Sequence, residues 1–287
     1  MRNDSHIING LSIDVEDYFH VSNFTEQFPL ERWDSLELRV ENNTRRLLEL
    51  FERHSARATF FVLGWVAEKC PGLVKKIAEK GHEIACHSNL HRLVYDLTDK
   101  EFKEDLITAK KILEDQSGKA VAGFRAPSYS ITRRNLHALD ILLECGFTYD
   151  SSIFPVHHHR YGIPDFERFP TQVVTVKGGR INEYPISTLR IGRNNIPVGG
   201  GAYARIFPLW FLMAAYKRIN KVENKPFIFY LHPWEIDPAQ PRVPCSRLTR
   251  IRHYTNISTM ERRLEKILSG FNFVPLIELP VVGTTTL

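Results

Sequence analysis

Short apolar runs alternate with longer segments of helical periodicity along most of the chain, and that alternation restricts the fold more than any other feature. Apolar runs over residues 7–13, 58–63, 83–86, 121–124, 148–149, 173–176, 227–231 and 273–277 read as strands. Between them, helices announce their starts. Thr98 and Glu101 have capping-box spacing and precede Phe102, Leu106, Ala109 and Leu113 on one face. Ser258 and Glu261 repeat the signal ahead of Leu264, Ile267 and Leu268. A helix over 44–54 puts Leu47, Leu48 and Phe51 on a stripe, and the segment 132–145 stops at Gly146. Strands alternating with helices predict a parallel α/β fold. No repeat, low-complexity tract or Gly/Ser linker divides the 287 residues. The sequence therefore predicts one domain over 1–287, with a loop-rich insertion around 150–205 that carries a small hairpin over one face.

With 43% hydrophobic and 25% charged residues, the chain is neither disordered nor fibrous. Its net charge of +5 is modest and no nucleic-acid-binding motif accompanies it, so no nucleic-acid partner is expected. The densest basic groups, 242–252 and Arg262, Arg263 and Lys266, read as solvated faces; an anionic sugar or lipid headgroup is the other use for them. Cys70, Cys86, Cys145 and Cys245 lack paired spacing, which predicts free thiols in a reducing compartment. The sequence opens without a signal-like apolar stretch and has no run of about 18 apolar residues. The expectation is a cytoplasmic chain with no membrane span.

Chemistry collects at the predicted strand ends, where α/β barrels keep their sites. Asp14, Glu16 and Asp17 close the first strand. Acids this close repel unless a cation or a basic partner holds them, and two-residue alternation puts Asp14 and Glu16 on one face; a solvated acidic turn is the plain alternative. His87 and His91 follow the third strand. Four apart, they share one side of a helical turn, and with one carboxylate they make a three-ligand metal site that leaves a position for water; an incidental pair is the plain alternative. Arg125 and Pro127 set a fixed charge ahead of a stiff turn at Ser128 and Tyr129, or else form a structural ion pair. Asp150, Ser151 and Ser152 by themselves read as a turn or cap. His232, delivered by an apolar strand into a turn at Pro233, by itself reads as an interior histidine. His157, His158 and His159 read as an exposed run at the rim of a cleft, or as metal ligands. The glycines 199–201 lack the Lys and Ser/Thr of a phosphate loop and read as a tight turn. Trp65, Tyr129, Tyr161 and Trp234 are candidates for stacking on sugar rings, with core packing the plainer role for Trp65.

Taken in order, the acidic strand end, H-x-x-x-H, R-x-P, D-S-S and L-H-P resemble the five motifs of the polysaccharide deacetylase family (NodB-homology, carbohydrate esterase family 4) over roughly residues 7–235. The segments 14–20, 197–201, 232–238 and 252–254 are similar to a bacterial branch associated with exopolysaccharide loci. The resemblance implies a distorted (β/α) barrel of about seven parallel strands. It implies a hydrolase that removes N-acetyl groups from amino sugars of a polysaccharide or glycan precursor, releasing acetate. The implied ion is Zn2+, or another divalent metal such as Co2+, Ni2+ or Mn2+, on His87, His91 and an acid. The family's usual first motif has adjacent aspartates, whereas Asp14 here is followed by Val15, Glu16 and Asp17. The acid ligand is therefore Glu16 or Asp17, with Glu16 favoured by strand alternation and by relatives carrying a D-x-D version.

By the same resemblance Asp14 is the general base, Arg125 orients it and His232 is the general acid. A backbone N–H just after Pro127, at Ser128 or Tyr129, binds the oxyanion. Asp150 fixes His232 or another supporting group, Leu231 lines the acetyl-methyl pocket, and Trp234 meets the sugar. The competing readings are a deformylase or cyclic-amide hydrolase on the same fold, and a non-catalytic carbohydrate-binding relative. The intact histidine pair argues against the metal-free branch, and the presence of Asp14 and His232 argues against a decayed site.

Overall fold

The computed structural model describes residues 7–287 apart from His159. Its strands are β1 (Ile8–Val15), β2 (Thr59–Val62), β3 (Glu83–Cys86), β4 (Gly123–Phe124), β5 (Tyr149–Asp150), β6 (Thr171–Val174), β7 (Arg180–Glu183), β8 (Thr188–Ile191), β9 (Asn194–Pro197), β10 (Ile228–Leu231), β11 (Asn272–Val274) and β12 (Thr284–Thr286). Its α-helices are α1 (Val40–Arg53), α2 (Gly64–Lys69), α3 (Leu73–Glu79), α4 (Asp99–Ser117), α5 (Ala138–Glu144), α6 (Gly201–Ile206), α7 (Leu209–Lys221), α8 (Arg247–Tyr254) and α9 (Ile257–Gly270).

β10, β1, β2, β3, β4, β5 and β7 lie side by side in that order, and every neighbouring pair is parallel. Parallel neighbours need long crossovers; helices supply them from β1 through to β5, and a stretch carrying β6 joins β5 to β7. β6 runs antiparallel to β7, β12 pairs parallel with β6, and β11 pairs with the start of β1. Among the described residues no ladder joins the β5–β7 side to β10. Single backbone bonds span the space: Ile186 N–H to Ile153 O at 3.4 Å, Val198 N–H to Ser187 O at 3.1 Å, and Tyr230 N–H to Gly199 O at 2.7 Å. Gly200 makes the last approach sterically feasible. Its φ is 131°, and a Cβ there would lie 1.9 Å from the Tyr230 carbonyl oxygen. One buried apolar cluster draws on residues from Leu11 to Phe273, so β1 and β11 belong to the same core.

The helix signals fare unevenly. At α4, Thr98 and Glu101 form both bonds of the capping box, and Phe102, Leu106, Ala109 and Leu113 are buried. At α9 the expected box at Ser258 and Glu261 does not form. The helix starts at Ile257 behind a left-handed Asn256, and Glu261 instead reaches Arg46 of α1 at 2.6 Å. The helix expected over 132–145 shrinks to α5. Asn135 accepts from Thr132 N–H at 2.7 Å and donates to Ser130 O at 3.0 Å, which holds a turn where the helix was expected to begin. Residues 150–205 are more regular than a loop-rich insertion: β6 and β7 extend the main sheet, and β8 and β9 form the hairpin. All four cysteines are free, and among the described residues no helix is long and apolar enough to cross a membrane.

Candidate active site

Because the strands run parallel, their carboxyl ends meet along one edge, and the chemical clusters of the sequence are delivered there. Asp14 lies one residue before the end of β1, while His87, Arg125, Ser151 and His232 directly follow β3, β4, β5 and β10. A cleft of about 290 Å³ opens at this edge. Asp14, Glu16, His87, His91, Ser128, Tyr129, His232 and Trp234 line it. Of the expected substrate contacts, Pro127 and Leu231 are not among the lining residues, and Leu231 belongs to the apolar core.

Asp14 is held from behind. Arg125, fully buried, gives Nη1 to Asp14 Oδ1 at 2.6 Å and to Ser12 Oγ at 2.9 Å. The rest of its guanidinium is fixed by Ser151, Nε to the carbonyl at 3.1 Å and Nη2 to Oγ at 2.8 Å, with the Phe61 ring 4.1 Å away. Burial alone would lower the arginine's pKa, but the Asp14 carboxylate outweighs it and keeps the guanidinium charged.

Glu16, His87 and His91 offer one ligand atom each, all within 4.8 Å of one another. Glu16 Oε2 is buried without a regular hydrogen bond and lies 2.8 Å from His91 Nε2. His87 donates Nδ1–H to the Arg125 carbonyl at 2.8 Å, which leaves Nε2 unprotonated for an ion. Burial lowers the His87 pKa to about 4, so the imidazole is neutral, as a ligand must be. Burial works to raise the Glu16 pKa, but His91 and His232 outweigh it and hold the carboxyl well below the usual range. Two imidazoles and a carboxylate in this arrangement fit a divalent ion such as zinc. The two histidines do not share a helical turn. Their loop reverses through left-handed Ser88 (φ 68°) and His91 (φ 54°), with Ser88 Oγ accepting His91 N–H at 3.1 Å.

Asp17, the alternative ligand, is turned away from this group. Its Oδ2 accepts Arg39 N–H at 2.6 Å and Val40 N–H at 2.8 Å at the start of α1, and Oδ1 accepts Tyr18 N–H at 2.9 Å. A carboxylate on a helix N-terminus is a structural anchor. Strand alternation separates the two acids: Glu16 falls on the face of Asp14, and Asp17 on the other.

Asp150 does not reach His232. Its Oδ1 accepts from Ser152 Oγ at 2.6 Å, and Glu183, its partner across β7, bonds to it as well. Burial and the neighbouring carboxylate push Glu183 well above its ordinary pKa, so the pair shares a proton. Ser152 Oγ in turn accepts Ala126 N–H at 2.8 Å. The D-S-S segment thus builds the seat of Arg125 and of the turn after it.

His232 is served instead by Glu235, three residues on in the 232–238 segment. Nδ1–H donates to Glu235 Oε1 at 2.8 Å, and Glu235 Oε2 pairs with the buried Arg205 at 2.6 Å. The other ring nitrogen, Nε2, lies 3.2 Å from Glu16 Oε1 and 3.9 Å from Asp14 Oδ2. Burial would lower the His232 pKa, but the Glu16 and Glu235 charges raise it to about 9, so it is a cation at neutral pH. Trp234 is not free to stack on a sugar. His232 covers one face at 5.0 Å and His253 stacks at 4.3 Å, nearly parallel. A carboxylate three residues after the histidine was the available signal for Glu235; Arg205 lies 30 residues from Glu235 and had none.

After Arg125 the chain turns through Ser128 (φ 51°) and Tyr129 (φ 56°), both left-handed without being glycine. Tyr129 N–H is taken by the Ala126 carbonyl at 3.0 Å, which leaves Ser128 as the candidate oxyanion donor. Ser128 Oγ is held by Ser22 Oγ at 2.7 Å. Strained backbone of this kind concentrates at functional sites. Among the other aromatic candidates, Tyr161 lines the cleft, whereas Trp65 packs against Phe19, His20 and Trp33. Of the histidine run, His157 is exposed, His158 lines the cleft and stacks on Tyr161 at 3.9 Å, and His159 lies outside the described residues.

Known proteins share parts of this sequence and its fold. Residues 33–149 match the family model described as polysaccharide deacetylase, and residues 151–280 match a domain of unknown function (DUF3473). The chain is 34% identical over 93 residues to a peptidoglycan-N-acetylglucosamine deacetylase of Bacillus cereus, covering 32% of this chain and 34% of that protein. It is 32% identical over 108 residues to a peptidoglycan deacetylase of Helicobacter pylori, covering 38% of this chain and 36% of that protein. The chain thus spans about a third of the length of these relatives. Two crystal structures share the fold. A Mycobacterium smegmatis protein assigned to the polysaccharide deacetylases superposes with a TM-score of 0.60 at 18% identity, over 96% of this chain and 88% of that one. A family 4 carbohydrate esterase from Streptomyces lividans, in complex with acetate, gives 0.51 at 14% identity, over 94% and 92%. The site straddles both matched segments: His87, His91 and Arg125 come from the first, and His232, Glu235 and Arg205 from the second.

Proposed function

We propose that this chain, whose residues 33–149 match the polysaccharide deacetylase model, is a metal-dependent hydrolase that removes N-acetyl groups from the amino sugars of a glycan or glycan precursor. The observation that carries the reading is the convergence in one cleft of three groups: the donor set Glu16, His87 and His91, the Arg125-held Asp14, and the Glu235-held His232. The segments 14–20, 197–201, 232–238 and 252–254 favour an exopolysaccharide as the glycan.

Glu16, His87 and His91 would hold a divalent ion, which would supply polarisation of the acetamide carbonyl and lower the pKa of water from ~15.7 to about 7. The chain's own residues do the rest. Arg125 holds Asp14 Oδ1, so Oδ2 is the oxygen available to take the proton of an attacking water. The Ser128 N–H faces the negative charge that develops on the carbonyl oxygen. His232 keeps one proton on Nδ1 against Glu235 and gives the other, from Nε2, to the leaving nitrogen. The C–N bond breaks, and acetate and a free amino sugar leave.

The test is release of acetate and free amine from N-acetylated amino-sugar oligomers by the Zn2+-loaded protein, repeated after chelation and after readdition of metal. Equimolar acetate and amine, lost and restored with the ion, is the expected result. Full activity in protein verified metal-free overturns the metal-dependent reading, and faster formate release from N-formyl analogues would indicate a deformylase.

A further inference from the structure

We propose that the substrate carries a negative charge beside its acetamido sugar, and that Arg160 and Arg252 select it; the inference rests on the deacetylase reading of this cleft. The acids that line the cleft, Asp14 and Glu16, are buried and already engaged, Asp14 by Arg125 and Glu16 by His91. Three guanidiniums line it: Arg205, Arg160 and Arg252. Arg205 is buried and neutralised by Glu235. Arg160 and Arg252 are different. Both are half-buried, and among the described residues neither has a carboxylate within 4.0 Å. Arg160 is positioned by its Nη1 bond to Asn23 Oδ1 at 3.0 Å, and Asn23 is itself a lining residue. Both charges act on the Tyr161 hydroxyl, so they bear on the same stretch of wall.

Around Arg252 the sequence offers no counter-charge. Between Asp237 and Glu261 there is no acidic residue, while Arg242, Arg247, Arg250 and Arg252 all fall there. A partly desolvated guanidinium without an anion is unfavourable, and its planar fork fits a carboxylate or a phosphate oxygen pair. The geometry therefore suits a uronate next to the acetamido sugar, or a phosphate on a glycan precursor. The exposed Arg247 and Arg250 on α8 extend the positive field that would draw either one in.

Three N-acetylated oligomers of equal length test this: one neutral, one with a neighbouring uronate and one with a neighbouring phosphate. With Zn2+-loaded protein, one charged oligomer should exceed the neutral one about tenfold in kcat/KM, and which one it is identifies the source of the charge. That preference should shrink as salt is raised. Arg160→Gln and Arg252→Gln should each lower it about fivefold, mainly through KM. Arg252→Lys should restore only part, because the charge returns without the fork. Equal rates on all three oligomers, or a preference that survives both substitutions, overturns the inference and leaves the deacetylase reading standing. If no oligomer releases acetate, the deacetylase reading falls. Titration calorimetry with the same oligomers then decides the inference: tighter binding of a charged oligomer supports it, and equal affinity overturns it.

Discussion

Glu235 grips His232 twice with one oxygen: Oε1 accepts the backbone N–H at 3.0 Å and Nδ1–H at 2.8 Å. The ring is thereby fixed in orientation and in protonation. Glu235→Gln removes the anion, so the His232 pKa should fall from about 9 and the basic limb of the kcat/KM profile should move to lower pH. Arg205 would be left buried without its counter-charge, at a cost of about 3–5 kcal/mol. Rate profiles and urea melts of the variant check both parts. A basic limb that stays in place removes His232 as the group that sets it.

Asp150 should behave in the opposite way. It lies among Ser152 and Glu183 and makes no bond to His232, so Asp150→Asn should leave the basic limb where it is. A shift of that limb equal to the one in Glu235→Gln would contradict the assignment of Glu235 as the partner.

The neighbouring acids separate by what each substitution disturbs. Glu16→Gln should lower metal content measured by elemental analysis, and His87→Ala should abolish it. Asp17→Asn should leave metal bound and instead cost about 0.5–2 kcal/mol in a denaturant melt, because it weakens the anchor at the start of α1. The reverse pattern would make Asp17 the ligand.

Asp14→Asn keeps the shape but cannot take a proton. Metal content should survive while kcat falls about 10²–10⁴-fold. A variant with near-normal kcat and full metal would assign the base elsewhere.

The buried histidines should each cost stability on mild acidification. Burial holds His20 and His253 down to about 3, and His82 and His87 down to about 4. Unfolded histidines titrate near 6.5, so between about pH 6.5 and 3 the unfolded chain binds more protons. Their contribution is present above about pH 6.5 and drains away as the pH falls through that window. Asp17, raised by burial to about 6, works the other way over part of it, and so do the buried carboxyls of Glu83, Asp105, Asp150 and Glu183, so the histidine contribution is read by difference. From pH 7 to pH 4.5 the urea midpoint of the parent should fall relative to that of His82→Gln; two parallel series would sink this account.

The sequence carried the strand ends well, because each is a short apolar run stopped by a chemical group. β3 ends at Cys86, directly before His87, and β10 ends at Leu231, directly before His232. Local helix signals were legible where nothing distant competed, as at Thr98, and illegible where something did, as at Glu261, drawn to Arg46. Of the two roles left open for Asp150, bracing His232 or another supporting group, the structure gives the second, and the 3-10 turn Pro233–Ile236 folds Glu235 back onto the histidine. Arg205, Arg160 and Arg252 reach the cleft through tertiary packing, which leaves no periodic trace.

Four of the non-glycine residues with left-handed backbone, Ser88, His91, Ser128 and Tyr129, lie on the two turns that present the proposed ligand His91 and the oxyanion donor. Such a conformation costs an L-residue roughly 1–2 kcal/mol, and glycine avoids that cost. Selection for heat resistance alone would accordingly favour Ser88→Gly and Ser128→Gly. Each exchange would also delete a hydroxyl that now braces its turn, on His91 N–H in one case and on Ser22 in the other. Durability and turnover pull on these same positions in opposite directions, so a hardened descendant of this protein should be recognisable by glycines at 88 and 128 and by a slower enzyme around them.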